Sequence, residues 1–527
     1  MFVRVKPSGA RKYLQIVENH REGKRIVQRV IATLGRLDEM VARGQVDVLL
    51  RSLARFADKV RLMEERTKGL LARSAVKIGP DLAFGSLWRK LHLEDIFNQL
   101  LLKRRFEFPL ERAVFASVCH RIFASGSDRS AKAWLRDVRI MGVENLDLHH
   151  LYRAMRFLGE NKDRIEEDLF SRTKDLFTKT SLAFFDTTTL YFEGCGGENL
   201  GRYGHSKDHR SDLKQMVVGA VLSGDGRPLS CQMWPGNQAD ARSLLSVVDS
   251  TRKRFDIEQI CWVADRGMAT KSLMEELEAR SLTYIFGARL RRVSEIKEEV
   301  LSHPGPYQKV ASNLQVKEVK LGERRYVICH NPEQSLKDAA DRESVLSSLR
   351  DTLKAGPGAL VGNQGYRRYL KIERGSFTID QVKVAEDERY DGKFVLRTNS
   401  SLPASEIAIH YKELLLVEQF FRSAKSLLDT RPIFHKFDST IAGHVFVSFL
   451  ALVLVHELKY RLKAKGFDLE WSDILRDLEA LCEVEVSDGD QTYLLRTELC
   501  GVCGKVLQAA GAAIPPTVRI PSVVPRP

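Results

Sequence analysis

The order of strand-like and helix-like segments between Ser181 and Leu290 constrains the fold more than any other feature of this sequence. Short buried apolar runs predict strands, and apolar residues at helical spacing predict amphipathic helices. The segment gives the order β-β-β-α-β-α-β. A hairpin closed by the turn "GDG" is followed by strands that alternate with helices, so the sequence predicts an α/β core in which a hairpin unit precedes a parallel layer.

The rest of the chain divides into regions by the period of its apolar residues. Residues 1–36 alternate apolar and polar positions, which predicts a β-meander. The segment is basic, with nine Lys and Arg side chains that include Lys24. The other predicted regions are a helical DNA-binding region at 37–178 with no strand-like interruption, an α/β core at 179–290 and 396–460, a β-rich insertion at 291–395, and a helical C-terminal region and tail at 461–527. For 37–178, a solvated helical face is the alternative to a DNA-binding one.

The composition indicates a soluble globular protein with an acidic polymer as its partner. The 527 residues carry a net charge of +14, which favours nucleic acid. The eight cysteines are scattered apart from Cys500 and Cys503, which fits a reducing compartment, and one CxxC pair is weak evidence for a metal site. No apolar signal-peptide core follows Met1, and the run Val445–Val455 is short for a membrane span. The sequence therefore predicts a cytoplasmic protein.

Two aspartates follow buried strand-like runs of the predicted core. Asp186 comes after "AFF" and Asp265 after "WVA", so we expect each to close its strand at the carboxyl edge of the sheet. A carboxylate in this position either caps the next turn or serves as a ligand held on rigid scaffold. Two of them on one sheet favour the second interpretation.

A third carboxylate, Glu418, lies within the apolar stretch "LLLVEQFFRSAKSLL". At helical spacing, Glu418, Arg422 and Lys425 share one face, and the apolar side chains Leu416, Val417, Phe420, Ala424 and Leu427 share the other. The simplest interpretation is an exposed Glu–Arg pair four residues apart. The alternative is a metal ligand, because hard cations take carboxylate oxygens and two Mg²⁺ ions about 3.5–4 Å apart assist in-line phosphoryl displacement. On that hypothesis Asp186 bridges both ions, and Asp265 and Glu418 each hold one.

Several motifs together resemble one family. Tyr411, Glu418 and Lys425 stand at the spacings of a Tyr-x2-Arg-x3-Glu-x6-Lys signature, and "GHSKDHRSDLKQ", "PGNQADARSL" and "RPIFHKFDSTIAGHVFVSFLAL" are similar to stretches of the same branch. The chain thus resembles the DDE transposases of bacterial insertion sequences. The resemblance implies a ribonuclease H-like mixed sheet core with a β-rich insertion, Asp186, Asp265 and Glu418 as catalytic metal ligands, and Mg²⁺ or Mn²⁺ as cofactor. It also implies cleavage of DNA at element ends, strand transfer into target DNA, and a dimer or larger assembly on DNA.

The same resemblance and the basic loop suggest side chains that contact DNA. These are Tyr411, Arg422, Lys425, Lys207, His209 and Arg210. The chain departs from the signature at Leu414, which replaces its arginine, and Arg422 is the nearest substitute. It also has no tryptophan between 291 and 395, which the hairpin-forming members of the branch can use to stack on a flipped base.

Other candidates and other functions remain open at this stage. Glu413 falls on the apolar side of the helix and is interpreted as structural, as are His435 and His444. A non-catalytic DNA-binding regulator derived from a transposase would not require all three acids. A ribonuclease H-fold nuclease that cuts without joining would share them.

Overall fold

The computed structural model describes residues 1–22, 25–54, 56, 71–174, 182–255, 260–355, 368–373, 376–487 and 492–520. The predicted boundary between residues 178 and 179, the side chain of Leu427 and the basic residue Lys24 lie outside the described residues. The chain forms two compact units. The smaller comprises Met1–Ser74, Val484–Leu495 and Val518–Pro527, and the larger comprises Ala75–Glu483 and Arg496–Thr517.

The strands and helices of the described residues have the following bounds. The strands are, in chain order, β1 (Phe2–Ser8), β2 (Arg11–Glu22), β3 (Arg25–Arg36), β4 (Leu71–Lys77), β5 (Leu182–Tyr191), β6 (Gln215–Ser223), β7 (Pro228–Pro235), β8 (Cys261–Ala264), β9 (Thr283–Gly287), β10 (Gln308–Ala311), β11 (Leu314–Leu321), β12 (Arg324–His330), β13 (Leu370–Glu373), β14 (Ser376–Ile379), β15 (Lys393–Thr398), β16 (Cys482–Ser487), β17 (Thr492–Arg496) and β18 (Val518–Arg519). The α-helices are Leu37–Ala42, Gln45–Ala54, Gly79–Lys90, Leu93–Leu101, Leu110–Phe123, Asp128–Trp134, Leu148–Thr173, Asp240–Phe255, Lys271–Ala279, Pro332–Ala355, Gln381–Glu388, Ala404–Glu413, Leu415–Arg422, Asp438–Ala464, Trp471–Ala480 and Cys503–Ala510. Two π-helical turns span Ile296–Val300 and Ser423–Leu427.

In the smaller unit, β1, β2 and β3 form an antiparallel meander. The register of β2 on β3 shifts between Leu14 and Gln15 and again between Ile16 and Val17, as at β-bulges. Bulges increase the local twist of a strand pair, so this ribbon is not flat.

The larger unit is built on a nine-stranded mixed sheet of order β10-β11-β12-β15-β9-β8-β5-β6-β7. β5, β6 and β7 are antiparallel neighbours, whereas β8 runs parallel to β5 and β9 parallel to β8. The predicted α/β class with a mixed sheet is confirmed. Alternate residues of β5 enter different cores, because successive strand side chains point to opposite faces of a sheet. Phe184 packs with the helices Ala404–Glu413 and Leu415–Arg422, and Phe185 packs with the helices Asp240–Phe255 and Lys271–Ala279.

Three sequence predictions about these elements were wrong. Asp186 does not close its strand but is the fifth of ten residues of β5, because the β-branched run Thr187–Thr189 continues the pairing with β6. Strand β4 interrupts the region predicted to be helical throughout. Strands β16, β17 and β18 lie in the predicted helical C-terminal region, and with β4 they form a four-stranded sheet of order β18-β17-β16-β4.

The predicted β-rich insertion contains more helix than expected. The helix Pro332–Ala355 has 24 residues, and β10, β11 and β12 join the central sheet through β15 rather than forming a separate body. Pairing of β12 with β15 and of β15 with β9 makes the insertion an extension of the core.

The helices from Gly79 to Thr173 share one core with the C-terminal helices. The helix Leu148–Thr173 packs along Asp438–Ala464, where Cβ atoms at Gly159 and Gly443 would collide with the facing backbone. The helix Asp438–Ala464 is long and apolar enough to cross a membrane by length and composition, but 89% of its most apolar window is buried inside the protein. Burial within this core explains its composition.

Candidate active site

Asp186 and Asp265 come level with each other on neighbouring parallel strands. β5 pairs with β8 so that Phe184 lies beside Val263, and each aspartate is two residues further along. Both therefore project from the face that the helices Ala404–Glu413 and Leu415–Arg422 cover. The backbone N–H of Thr187 donates a 2.7 Å hydrogen bond to Asp186 Oδ1, which fixes that carboxylate against its own strand.

Tyr411 connects the second aspartate to the helical layer. Its hydroxyl donates to Asp265 Oδ1 at 3.2 Å. A Cβ at Gly287, the last residue of β9, would lie 2.2 Å from the Tyr411 hydroxyl oxygen, so only glycine leaves room for the ring. Burial raises the pKa of Tyr411 strongly, and the charges of Asp265 and Glu418 raise it further. The neutral hydroxyl thus remains a hydrogen-bond donor near both carboxylates.

Glu418 is exposed on a helix that differs from the predicted one. The helix Ala404–Glu413 ends before Leu414, and a second helix spans Leu415–Arg422. The π-helical turn Ser423–Leu427 follows it directly. Val417 is fully buried, as predicted, and Phe421 is buried with it. Within the described residues Glu418 and Arg422 form no ion pair, which removes the simplest interpretation of Glu418. The helix that carries Glu418 packs on the sheet face from which Asp186 and Asp265 project.

A basic cluster with one acid at its centre lies next to Asp186. Asp208 accepts a hydrogen bond from Lys425 Nζ at 2.9 Å and forms an ion pair with Arg431 Nη1 at 2.5 Å. Lys207 Nζ lies 3.9 Å from Asp186 Oδ1 and donates to the carbonyl and hydroxyl oxygens of Thr187. Burial lowers the pKa of Lys425, and Arg431 and Lys207 lower it further, against the opposing effect of Asp208. Lys425, expected to face DNA phosphate, is held by Asp208 instead.

The other candidate DNA contacts lie at the surface around this cluster. Arg210 pairs with Asp212 through two guanidinium nitrogens and lies 5.4 Å from the ring centroid of Tyr191. His209 has a left-handed backbone with φ of 59°, and Arg422 is exposed. Sequence reasoning missed Gly287, Asp208 and Arg431. Asp208 and Arg431 had a signal, since they stand inside the quoted motifs "GHSKDHRSDLKQ" and "RPIFHKFDSTIAGHVFVSFLAL", whereas Gly287 had none.

Two family models match the sequence. The transposase DDE domain matches residues 178–454, more than half of the chain, and the N-terminal domain of IS1634 family transposases matches residues 3–66. The chain belongs to the DDE transposases of insertion sequences. The resemblance stated from the motifs is therefore confirmed. No curated relative matches the sequence.

Solved transposase structures resemble this transposase only distantly. The piggyBac transposase in a synaptic complex with hairpin DNA is 11% identical, with a TM-score of 0.37, and the match covers 76% of this chain and 78% of that chain. The Mos1 transposase in a paired-end complex with the left transposon end is 11% identical, with a TM-score of 0.15 and coverage of 45% and 66%. At these TM-scores the similarities do not define the fold.

Transposases with DDE domains generally use divalent metal ions, and the acids of this transposase fit such ions by their chemistry. Asp186 and Asp265 offer hard oxygen donors from adjacent strands of one rigid sheet. Among the described residues, no three His, Cys, Asp or Glu side chains are grouped closely enough to form a metal site.

Proposed function

We propose that this transposase cleaves DNA at the ends of its element and joins the freed 3′-hydroxyls to target DNA, with Asp186, Asp265 and Glu418 as the catalytic carboxylates. The observation that carries the proposal is the level placement of the two aspartates on β5 and β8, facing the helix of Glu418. A pair of acids on a rigid sheet and one exposed acid on a helix suit a reaction in which the attacking and leaving groups exchange places.

The core is proposed to be ribonuclease H-like. The order β9-β8-β5-β6-β7, with three antiparallel strands and two strands parallel to β5, supports this assignment. In such an arrangement the first strand lies at the centre of the five, so that Asp186 on β5 is flanked by both halves of the sheet.

Each acid has a proposed role that follows from its position. Asp186, Asp265 and Glu418 would hold two Mg²⁺ or Mn²⁺ ions, with Asp186 as a ligand shared by both and Asp265 and Glu418 as ligands of one each. Bound there, the ions would stabilise charge on the oxygens of the in-line displacement. Tyr411 orients Asp265 through its hydroxyl. Lys207 lies near Asp186, where its cationic charge is placed to attract the phosphate that is cut.

The remaining side chains are proposed to bind DNA. Arg422, His209 and Arg210 lie at the surface around the carboxylates and would contact phosphates. Lys425 would also contact phosphate once its hydrogen bond to Asp208 is broken. The active form on DNA is proposed to be at least a dimer in the cytoplasm, because two ends must be cut in concert. A monomer that is fully active on one end would contradict this.

The decisive experiment compares four variants with one neutralised carboxylate each. Glu418→Gln, Asp186→Asn and Asp265→Asn keep the shape of the side chain but remove the charge that a cation requires, so we expect each to bind element-end DNA and to lose cleavage by orders of magnitude. Glu413→Gln is the matched control, because Glu413 lies on the helix Ala404–Glu413, where its side chain hydrogen-bonds His410. The Glu413→Gln variant should cleave almost normally. Cleavage is measured on labelled end DNA with Mg²⁺ or Mn²⁺.

The outcomes separate the proposal from its alternatives. Normal cleavage by Glu418→Gln together with an inactive Glu413→Gln would mean that the wrong acid was chosen. Full cleavage in a chelator would exclude metal dependence. End binding without any cleavage would indicate a regulator, and cleavage without strand joining would indicate a nuclease.

A further inference from the structure

A large cavity lies between the helix Leu148–Thr173 and the segment leading into Asp438–Ala464. Its volume is about 790 Å³. Three aromatic side chains line it while remaining open to solvent: Tyr152 is 43% exposed, Phe434 60% and Phe437 64%. Large apolar rings gathered around an open cavity are unfavourable in water, so they indicate a surface on which a planar group stacks.

Cations surround the same aromatic side chains. Lys436 lies between Phe434 and Phe437 in the chain, and Arg431, Arg153 and Arg156 also line the cavity. The two helix arginines are already paired with carboxylates, Arg153 with Glu107 and Arg156 with Glu160. The acid Asp429 lines the cavity as well and accepts a 2.9 Å hydrogen bond from Ser125 Oγ. Arg431 is likewise paired, with Asp208, so the charge available to a ligand comes first from Lys436.

A buried acceptor in the wall of the cavity lacks a hydrogen bond. Asp128, which lines the cavity, is 7% exposed, and no donor among the described residues makes a hydrogen bond to its Oδ2, from which His435 Nε2 lies 3.6 Å away. Burial raises the pKa of Asp128, and His435 and Arg121 oppose that shift. An unsatisfied buried oxygen carries an energetic penalty, which a ligand N–H would relieve.

From these three features we infer that the cavity binds one unpaired nucleotide of a DNA strand. The base stacks on the rings of Phe434, Phe437 and Tyr152, and its phosphate lies on Lys436 and Arg431. An amino or imino N–H of the base edge donates to Asp128. Bases stack on aromatic rings in single-strand sites whatever their sequence, because every base has a π-face.

The cavity is joined to the proposed catalytic residues by ion pairs. Arg431 pairs with Asp208, which holds Lys425, and the neighbouring Lys207 approaches Asp186. A nucleotide in the cavity would thus be close in the strand to the phosphate that is cut. This inference rests on the proposed function for its ligand class, since DNA is the polymer on which these acids would act.

The test measures binding in a chelator, so that no strand is cut. The full chain is titrated into a five-nucleotide thymidine strand with 2-aminopurine at its centre, and the base fluorescence and anisotropy are recorded. Stacking should quench the fluorescence of the bound probe. Phe434→Ala and Phe437→Ala should each weaken binding by about five- to a hundredfold and abolish the quenching. Both rings are mostly exposed, so their truncation leaves the core intact.

Two further variants sharpen the result. Lys436→Gln should lower the slope of log affinity against log salt by about 0.7, the value for one phosphate of a single strand. Tyr460→Ala is the matched control, because Tyr460 is a 54% exposed aromatic residue on the helix Asp438–Ala464 that does not line the cavity. It should bind the probe as the unmodified chain does.

Wild-type binding and quenching by Phe434→Ala and Phe437→Ala would overturn the inference. An equal loss in Tyr460→Ala would overturn it too, because stacking would then not be specific to the cavity. Either failure leaves metal-dependent cleavage by Asp186, Asp265 and Glu418 standing. Conversely, normal cleavage by Glu418→Gln would remove the proposed function without changing this fluorescence result.

Discussion

At the scale of single residues, the most consequential contact is the hydrogen bond from Tyr411 to Asp265. Asp265 stands just beyond the end of β8, so its carboxylate is less constrained than that of Asp186 inside β5. The Tyr411 hydroxyl fixes one of its oxygens, and Gly287 leaves the space in which the ring lies. This contact suits Tyr411 to position the proposed metal ligand, and the contact of Tyr411 with DNA stays a prediction.

Tyr411→Phe should slow cleavage by about ten- to a hundredfold, because a hydrogen bond to a charged group is worth roughly 1.5–3 kcal/mol. End-DNA affinity should stay unchanged, and the metal concentration for half-maximal cleavage should rise. Gel-shift titrations measure the end-DNA affinity, and cleavage titrations measure the metal dependence. A variant with normal metal dependence but weaker end binding would restore the role of Tyr411 as a DNA contact.

Gly287→Ala should reproduce the defect of Tyr411→Phe, because the new methyl group displaces the tyrosine ring. Gly267→Ala is the control. Gly267 follows Asp265 closely in the chain, and a Cβ there meets nothing within 4 Å, so its cleavage rate should stay near that of the unmodified chain. Equal cleavage rates for Gly287→Ala and Gly267→Ala would show that the Tyr411 ring does not occupy the position seen in the structure.

The sequence indicated candidate acids but not their surroundings. Asp186 and Asp265 could be chosen because buried runs precede them, and Glu418 because it is the one acid in the stretch 414–428. The hydrogen bond from Lys425 to Asp208 joins residues 217 positions apart, and that from Tyr411 to Asp265 joins residues 146 apart. Local periodicity carries no information about such pairs, since they depend on how the sheet and helices pack.

At the scale of elements, the segment around Glu418 departs from the regular α-helical periodicity that the sequence predicts. The predicted face containing Glu418, Arg422 and Lys425 assumes one continuous α-helix. The π-helical turn Ser423–Leu427 closes its hydrogen bonds over five residues and rotates Lys425 relative to Glu418. Lys425 thereby reaches Asp208, while Arg422 stays in solvent.

Lys425→Ala should lower the free energy of unfolding by about 1–3 kcal/mol, because it removes a hydrogen-bonding partner from Asp208, whose side chain is only 12% exposed. Arg422→Ala on the same segment should change it by less than about 0.5 kcal/mol, as exposed positions do. Chemical denaturation of both variants measures the difference. If Lys425→Ala is as stable as the unmodified chain while end binding falls, Lys425 is a phosphate contact and not a structural cation.

Among the short strands missed from the sequence, β4 lies farthest in the chain from its partner. β4 lies in a long helical region and pairs in the order β18-β17-β16-β4 with strands more than 400 residues away. Its alternating pattern "LARSAVK" is too brief to stand out from helical neighbours. The core strands β5 to β9, by contrast, follow one another in the chain with turns and helices between them, which is why their order was predicted.

At the scale of the whole molecule, the N-terminal helices cannot be separated from the C-terminal ones. The core that contains Phe115 and Leu158 also contains Phe446, Leu478 and Val506. Ser86 Oγ donates to the carbonyl of Ala510 across the same core. The predicted helical region 37–178 is therefore not a self-contained body, although its basic residues are close together in sequence.

A chain that ends at residue 178 should consequently not fold, because it exposes the faces that residues 438–510 cover. We expect no cooperative thermal transition by circular dichroism and strong binding of a hydrophobic dye. A chain comprising residues 1–520 is the control and should melt cooperatively. A cooperative transition in the shorter chain would mean that the N-terminal helices can complete their core alone.

DNA binding by the N-terminal meander therefore has to be tested in the full chain. Residues 1–36 hold nine Lys and Arg against two Glu, and Arg11 and Lys12 at the start of β2 are exposed. If both contact phosphates, the double variant Arg11→Gln/Lys12→Gln should lower the slope of log affinity against log salt by about 1.8, or 0.9 for each contact to duplex DNA. In gel-shift titrations, affinity for end DNA and for unrelated duplex should fall equally, because phosphate contacts do not read sequence.

Lys337→Gln/Lys354→Gln is the control. It removes the same charge from exposed positions of the helix Pro332–Ala355 and should leave the slope unchanged. An equal fall in both double variants would assign the effect to overall charge, and no fall in the first would place the DNA contacts outside the meander.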